Sequence, residues 1–152
     1  GALASALTAQ SKFREAQVPA AACLRLARDP ASRARALLVA AAIQRSMKNL
    51  QQASSMADEA MLLQPEGPLN AEARILSGDL LAARQDDIGA AKAYMTVGVL
   101  NDDPVLTPKA LTRAAEAYRR AGNITEARKA LEELHKRFPN APVSAASPAP
   151  VP

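Results

Sequence analysis

The sequence predicts an all-α fold made of consecutive antiparallel helix pairs, and three observations predict it. Aromatic residues make up only 3% of the 152 residues, whereas Ala occupies 36 positions. This composition disfavours a β-sandwich or a barrel, which needs many aromatic and β-branched residues. The other two observations are a regular spacing of small residues and paired signals for helix starts and helix ends.

The small residues follow a repeat of 37 residues. Displacing the sequence by this interval superimposes Ala36 on Ala73 and Ala110. A period of this length is typical of arrays of helix pairs, in which each pair buries its apolar face against the next. The same displacement aligns other small, turn and apolar residues, namely Ala41, Gly78 and Ala115; Asn49, Asp86 and Asn123; Ala53, Ala90 and Ala127; and Ala60, Val97 and Leu134.

Each repeat predicts two helices, and the last repeat shows their boundaries most clearly. Thr107 is a predicted N-cap, because Pro108 behind it fits the first helical position, where its missing N–H costs nothing. Gly122 ends that helix, and Asn123 with Glu126 forms a capping box that begins the next. The pattern predicts helices near residues 32–46, 49–63, 70–84, 87–101, 108–120 and 124–137.

The two ends of the chain depart from the repeat. Residues 1–31 predict a degenerate capping helix pair, over residues 2–16 and from Pro19 to about Arg28, because Pro disrupts a helix interior. The three repeats then occupy about residues 32–68, 69–105 and 106–139. Residues 140–152 are rich in Ala, Pro and Ser, which predicts an extended tail or linker.

The net charge of +4 is the sum of three opposing blocks. Residues 1–47 carry 7 basic and 2 acidic side chains, residues 48–107 carry 4 and 9, and residues 108–152 carry 8 and 4. An acidic middle block does not suit a surface that follows a phosphate backbone, so nucleic-acid binding is the least favoured alternative function. The blocks allow one molecule's end to dock on another's middle, which makes self-association the main alternative.

The sequence contains no motif for catalysis, a cofactor or a metal ion, and we expect no enzymatic activity. It lacks a phosphate-binding glycine loop and metal-ligand spacing. Cys23 is expected to be a small buried residue, and His135 a solvated residue at a helix end. The pairs Asp86–Asp87 and Asp102–Asp103 are interpreted as helix caps. No apolar run approaches the roughly 18 residues needed to cross a bilayer.

Residues 108–139 carry the side-chain pattern of a known repeat. Bulky residues take its fourth, eleventh and twenty-fourth positions, small residues its eighth and twentieth, and Pro its thirty-second. These residues are Leu111, Tyr118 and Leu131, then Ala115 and Ala127, then Pro139. The pattern resembles the tetratricopeptide repeat, which residues 34–65 and 71–102 match more loosely.

The resemblance implies a right-handed superhelical stack of helix pairs that acts as a non-catalytic scaffold for a partner protein or peptide. The sequence around the last repeat is similar to bacterial envelope proteins of the TolA-binding type. We therefore expect a domain of a larger bacterial protein, in the envelope or periplasm rather than the cytoplasm.

In this family the first helix of each pair lines a concave groove. The resemblance carries that role to Arg35, Leu38, Ala42 and Arg45 in the first repeat, to Glu72, Ile75, Asp79 and Ala82 in the second, and to Lys109, Thr112, Arg113, Glu116 and Arg119 in the third. This set predicts basic walls, an acidic middle and an apolar floor at Leu38 and Ile75. Such a groove suits a peptide of mixed charge.

Three further hypotheses concern partners. Lys109 and Arg113 match the carboxylate clamp of chaperone-binding family members, but the Asn positions of that clamp are not met. The Ala/Pro-rich tail is a candidate occupant of a neighbouring molecule's groove. An acidic partner would suit a basic cluster on the last helix pair, formed by Arg119, Arg120, Arg128 and Lys129.

Overall fold

A computed structural model describes residues 2–141, with side chains from residue 8 onward, and this range contains seven helices and no strand. The helices are α1 (Ala2–Leu26), α2 (Pro30–Ser46), α3 (Leu50–Leu63), α4 (Pro68–Ala83), α5 (Asp87–Leu100), α6 (Leu106–Arg120) and α7 (Ile124–Arg137). The predicted all-α fold of helix pairs is confirmed, and the six predicted repeat helices agree with α2 to α7 within two residues at either end. The predicted tail lies outside the described residues from residue 142 onward.

The chain divides into two compact units, residues 1–80 and 81–152, and each is described by itself. In the first unit α2 packs against α3, and the short turn at residues 47–49 makes the pair antiparallel. Alanine dominates the core of this unit, so helix backbones can approach closely. The core cluster consists of Ala34, Leu37, Leu38, Ala41, Ala53, Ala57, Ala60, Ala73, Leu76 and Leu80.

The N-terminal region differs from the predicted helix pair. The structure has one continuous helix, α1, with Pro19 in its interior. Pro19 has no N–H to donate to the Glu15 carbonyl, so one helical hydrogen bond is missing at this point. Packing of α1 against α2 outweighs that local cost, and the helix therefore runs on to Leu26.

In the second unit α5 packs on α6, and α6 packs on α7. Val97, Leu111 and Leu134 are fully buried and supply one large side chain from each helix. Gly98 permits the close approach of α5 to α6, because a Cβ atom added there would lie 2.5 Å from Cδ2 of Leu111. A larger residue at this position would force Leu111 to move within a packed core.

The 37-residue repeat reappears in the backbone of the turn inside each helix pair. Lys48 and Gln85 both have φ 64°, and Gly122 has φ 79°. In each turn the next residue donates its N–H to a carbonyl five residues back: Asn49 to Gln44 at 2.9 Å, Asp86 to Leu81 at 3.0 Å, and Asn123 to Tyr118 at 2.8 Å. Each pair therefore uses the same left-handed helix ending, and only the third repeat places the favoured Gly there.

The predicted N-cap at Thr107 is wrong. Helix α6 begins at Leu106, and Oδ1 of Asp103 accepts hydrogen bonds from the Val105 N–H at 2.8 Å and the Leu106 N–H at 2.7 Å. Thr107 is fully buried in the first turn, and its hydroxyl has no hydrogen-bond partner within the described part of the chain. A single sequence does not distinguish Asp103 from Thr107 as the cap, because both residue types cap helices well.

The hydrogen bonds to Asp103 also make its cap resistant to acid. The Leu106 N–H, and then the Val105 N–H, hold the pKa of the Asp103 carboxyl below its ordinary value. A lowered pKa in the folded state means that the carboxylate stabilises the fold above the pKa of an unfolded aspartate. This contribution is lost as the pH falls from that value through the lowered pKa.

Replacing Gln85 by Gly is expected to stabilise the chain by about 0.5–1 kcal/mol, because Gly adopts a positive φ without the strain of a side chain. The converse change, Gly122→Ala, is expected to cost about 1 kcal/mol for the same reason. Urea unfolding followed by circular dichroism measures both.

Ala121→Gly is the matched control, because Ala121 has a negative φ of −75° beside the same turn. It should not stabilise the chain. A Gln85→Gly variant less stable than the wild-type chain would contradict this interpretation of the turn.

Candidate functional site

A cleft of about 830 Å³ lies between α6 and the segment that follows α7. Lys109, Thr112, Arg113 and Glu116 line it from α6, which places four of the predicted groove residues at one site. They lie together because residues three or four apart share one face of a helix. The rest of the lining is Pro104, Val105, Pro108, Arg137, Phe138, Pro139, Asn140 and Ala141.

The cleft combines an apolar surface with separated charges. Val105 and Pro104 are exposed at one side, and the half-buried Phe138 ring lies at the other. Lys109 is exposed and has no ion-pair partner among residues 8–141, whereas Glu116, two turns further along α6, is half-buried. A ligand in this cleft would therefore meet a cation, an apolar area and a carboxylate in succession.

Arg137 holds one wall of the cleft in place. Its guanidinium group donates hydrogen bonds to the carbonyl oxygens of Gly98 at 2.5 Å and Asn101 at 2.8 Å, and to Oδ1 of Asp102 at 2.8 Å. It also lies 5.4 Å from the centre of the Phe138 ring. Because these carbonyls end α5, Arg137 satisfies the end of one helix from the end of another and positions Phe138.

The predicted groove residues of the first unit have different surroundings. Leu38 and Ile75 are buried, so the predicted apolar floor is part of the core in this structure. Arg45 and Asp79 form an ion pair at 2.5 Å, which connects α2 with α4 and neutralises both charges. Arg35, Ala42 and Glu72 are exposed. Ala82, in the second unit, is half-buried.

The predicted basic cluster on the last helix pair is partly neutralised within the chain. Arg120 forms an ion pair with Asp87 at 2.8 Å, and Lys129 forms one with Glu126 at 2.7 Å. The hydrogen bond from Lys129 to Glu126 raises the pKa of the Lys129 ammonium. Arg119 is half-buried and does not line the cleft, while Arg128 is exposed.

Two predictions about isolated reactive residues have opposite outcomes. Cys23 is exposed, so the prediction that it is buried is wrong, because its position on α1 faces a groove rather than the core. His135 is exposed in the last turn of α7, as expected.

The paired aspartates serve as helix caps and ion-pair partners. Asp86 caps α5 by accepting the Gly89 N–H at 2.9 Å, and Asp103 caps α6. Asp87 and Asp102 instead pair with arginines. The predicted capping role is confirmed for one member of each pair.

Two chemical properties can be stated for the described residues. Residues 8–141 contain no group of three or more His, Cys, Asp or Glu side chains placed to hold a metal ion. No helix within the described range has the length and apolar character needed to cross a bilayer.

Comparison with known families identifies the last helix pair. Residues 109–141 match the family model of the tetratricopeptide repeat, and this segment contains most of the cleft lining. The chain therefore belongs to the tetratricopeptide-repeat proteins, which generally act as non-catalytic modules for protein–protein interaction. Comparison with curated proteins gave no match.

Replacing Arg137 by Met is expected to destabilise the chain by about 1–3 kcal/mol, because two carbonyls at the end of α5 lose a charged donor. Arg137→Lys should recover only part of this loss, since an ammonium group cannot reproduce the planar fork of donors. Urea unfolding measures both variants. Lys136→Met, at an exposed neighbouring position, is the control, and equal stabilities for Arg137→Met and the control would refute the capping role.

Proposed function

We propose that the chain is a non-catalytic interaction module that binds a peptide segment of a partner protein in the cleft along α6. The observation that carries this proposal is that Lys109, Thr112, Arg113 and Glu116 share one cleft within the segment that matches the tetratricopeptide repeat. Its volume of about 830 Å³ falls within the 300–1,000 Å³ usual for ligand sites.

The surroundings of the cleft indicate the chemistry of the peptide. An apolar side chain would contact Val105 and Phe138, and an acidic residue would lie near Lys109. A basic residue two helical turns further along would face Glu116. This is the peptide of mixed charge that the sequence predicts, and the apolar contact would supply most of the affinity because exposed ion pairs contribute little.

The cellular setting is part of the same proposal. We infer a module of a larger bacterial protein in the envelope, where it would bring partner proteins together. The similarity of the sequence around the last repeat to envelope proteins of the TolA-binding type supports this setting.

Peptides selected from a displayed library against the chain should bind about tenfold more weakly to Lys109→Glu and to Val105→Glu, a loss of about 1.4 kcal/mol. The first change repels an acidic residue, and the second places a charge in the apolar contact. Fluorescence anisotropy with the same labelled peptide measures both.

Lys136→Glu makes the same change of charge at an exposed position of α7 outside the cleft, and it should leave binding unchanged. Selected peptides that bind all three variants as tightly as the wild-type chain would show that the cleft is not the binding site.

A further inference from the structure

A second, more apolar groove lies between α1 and α2 in the first unit and has a volume of about 850 Å³. Pro19, Cys23 and Leu26 line it from α1, and Ala36, Val39 and Ile43 line it from α2. Leu26 is 77% exposed and Val39 is 53% exposed, although both are large apolar residues. Exposed apolar side chains gathered in one groove indicate a surface that another molecule covers.

The margin of this groove is basic. Arg28 and Arg35 line its edge, and neither has an ion-pair partner among residues 8–141. The one carboxylate at the edge, Asp29, is already engaged, because its Oδ1 accepts the Ser32 N–H at 2.9 Å and caps α2. The groove therefore favours an apolar surface that is bordered by acidic groups.

Helix α5 in the second unit presents such a surface. Its inner face is buried through Ala90, Tyr94 and Val97, yet its outer face is also apolar. Val99 is 68% exposed and Leu100 is 70% exposed. A helix that is apolar on all sides is normally buried on all sides.

The charges around α5 complement those of the groove. Asp86 precedes the helix and Asp102 follows it, and the carboxylate-bearing side chain of Asp102 is 90% exposed. Residues 48–107, which contain α5, carry 4 basic and 9 acidic side chains, whereas residues 1–47 carry 7 basic and 2 acidic ones.

The dimensions also agree. On α5 the outer residues run from Ile88 to Val99, and the groove residues run from Ala16 to Ala27 on α1 and from Ser32 to Ile43 on α2. Each interval is eleven residues of helix, or about 16 Å at 1.5 Å per residue. One helix face can therefore fill the groove along its whole length.

We propose that the α1–α2 groove of one molecule binds the outer face of α5 of a second copy of this chain. The two surfaces differ, so the contact is head-to-tail. A pair of molecules joined in this way keeps one open groove and one open α5 face, and association therefore continues beyond the dimer as the concentration rises. This interface is separate from the peptide cleft on α6.

Sedimentation velocity of the full chain tests the proposal. The average mass of the wild-type chain should rise above 16.0 kDa with concentration, and it should rise less in high salt. Val39→Glu closes the groove, Val99→Glu closes the α5 face, and each variant alone should remain a monomer.

An equimolar mixture of these two variants is the decisive sample. One variant retains an intact α5 face and the other an intact groove, so the mixture should form a 1:1 complex of twice 16.0 kDa and nothing larger. A wild-type chain that is monomeric at every concentration, or a mixture that fails to associate, would overturn the proposal.

Two controls separate the interface from folding and from peptide binding. Ile124 on α7 is 53% exposed, the same fraction as Val39, and Ile124→Glu should associate like the wild-type chain. Circular dichroism should show the wild-type helix content for all three variants, and each should still bind peptides selected for the α6 cleft. If Ile124→Glu abolished association as completely as Val39→Glu, the assignment to the groove would be wrong.

The single cysteine gives an independent measurement, because Cys23 is exposed and lines the groove. Its rate of reaction with a maleimide should fall several-fold as the wild-type concentration rises and should stay constant for Val99→Glu. A rate that does not depend on concentration in the associating wild-type chain would place the contact elsewhere.

Discussion

Close packing of helices through alanine is the constraint on which the rest of this structure depends. Ala53, Ala90 and Ala127 are buried at equivalent positions of the three repeats, and a larger side chain there would separate the helices. Alanine buries little apolar area, so each contact contributes less than a leucine would. Interactions at helix ends therefore carry a larger share of the stability. The arginine that caps α5 and the repeated left-handed turns are examples of such interactions.

Local signals explain why the repeat helices could be predicted from sequence and α1 could not. Gly122 and Asn123 act within their own turn, so the sequence alone locates the boundary between α6 and α7. Pro19 is also a local signal, but packing against α2 outweighs it, and no pattern in a single sequence reports that packing. Cys23 was misjudged for the same reason, because its burial depends on which face of α1 meets α2.

The site shows the same division between local and distant information. Lys109, Thr112 and Glu116 follow from helical spacing and the family resemblance, and they line one cleft. Arg137 was missed because its hydrogen bonds join residues 35 to 39 positions apart, a pairing that the sequence does not reveal. An arginine near the end of a helix, one repeat beyond an Asp–Asp pair, is the signal that could have indicated it. Leu38 was placed in the groove although tertiary packing buries it.

The distribution of charge has a structural cause that the net charge hides. Arg45 pairs with Asp79, Arg120 with Asp87 and Arg137 with Asp102, and each pair joins residues close to one repeat apart. Much of the acidic middle block is therefore used inside the chain, where it connects successive helices. The charges that remain without a partner among the described residues lie beside exposed apolar side chains, at the α1–α2 groove and the α6 cleft. Apolar surface determines where contact is favourable, and the adjoining charge determines which partner is admitted. The coincidence of the two, rather than the overall excess of positive charge, is what makes these surfaces suited to protein partners.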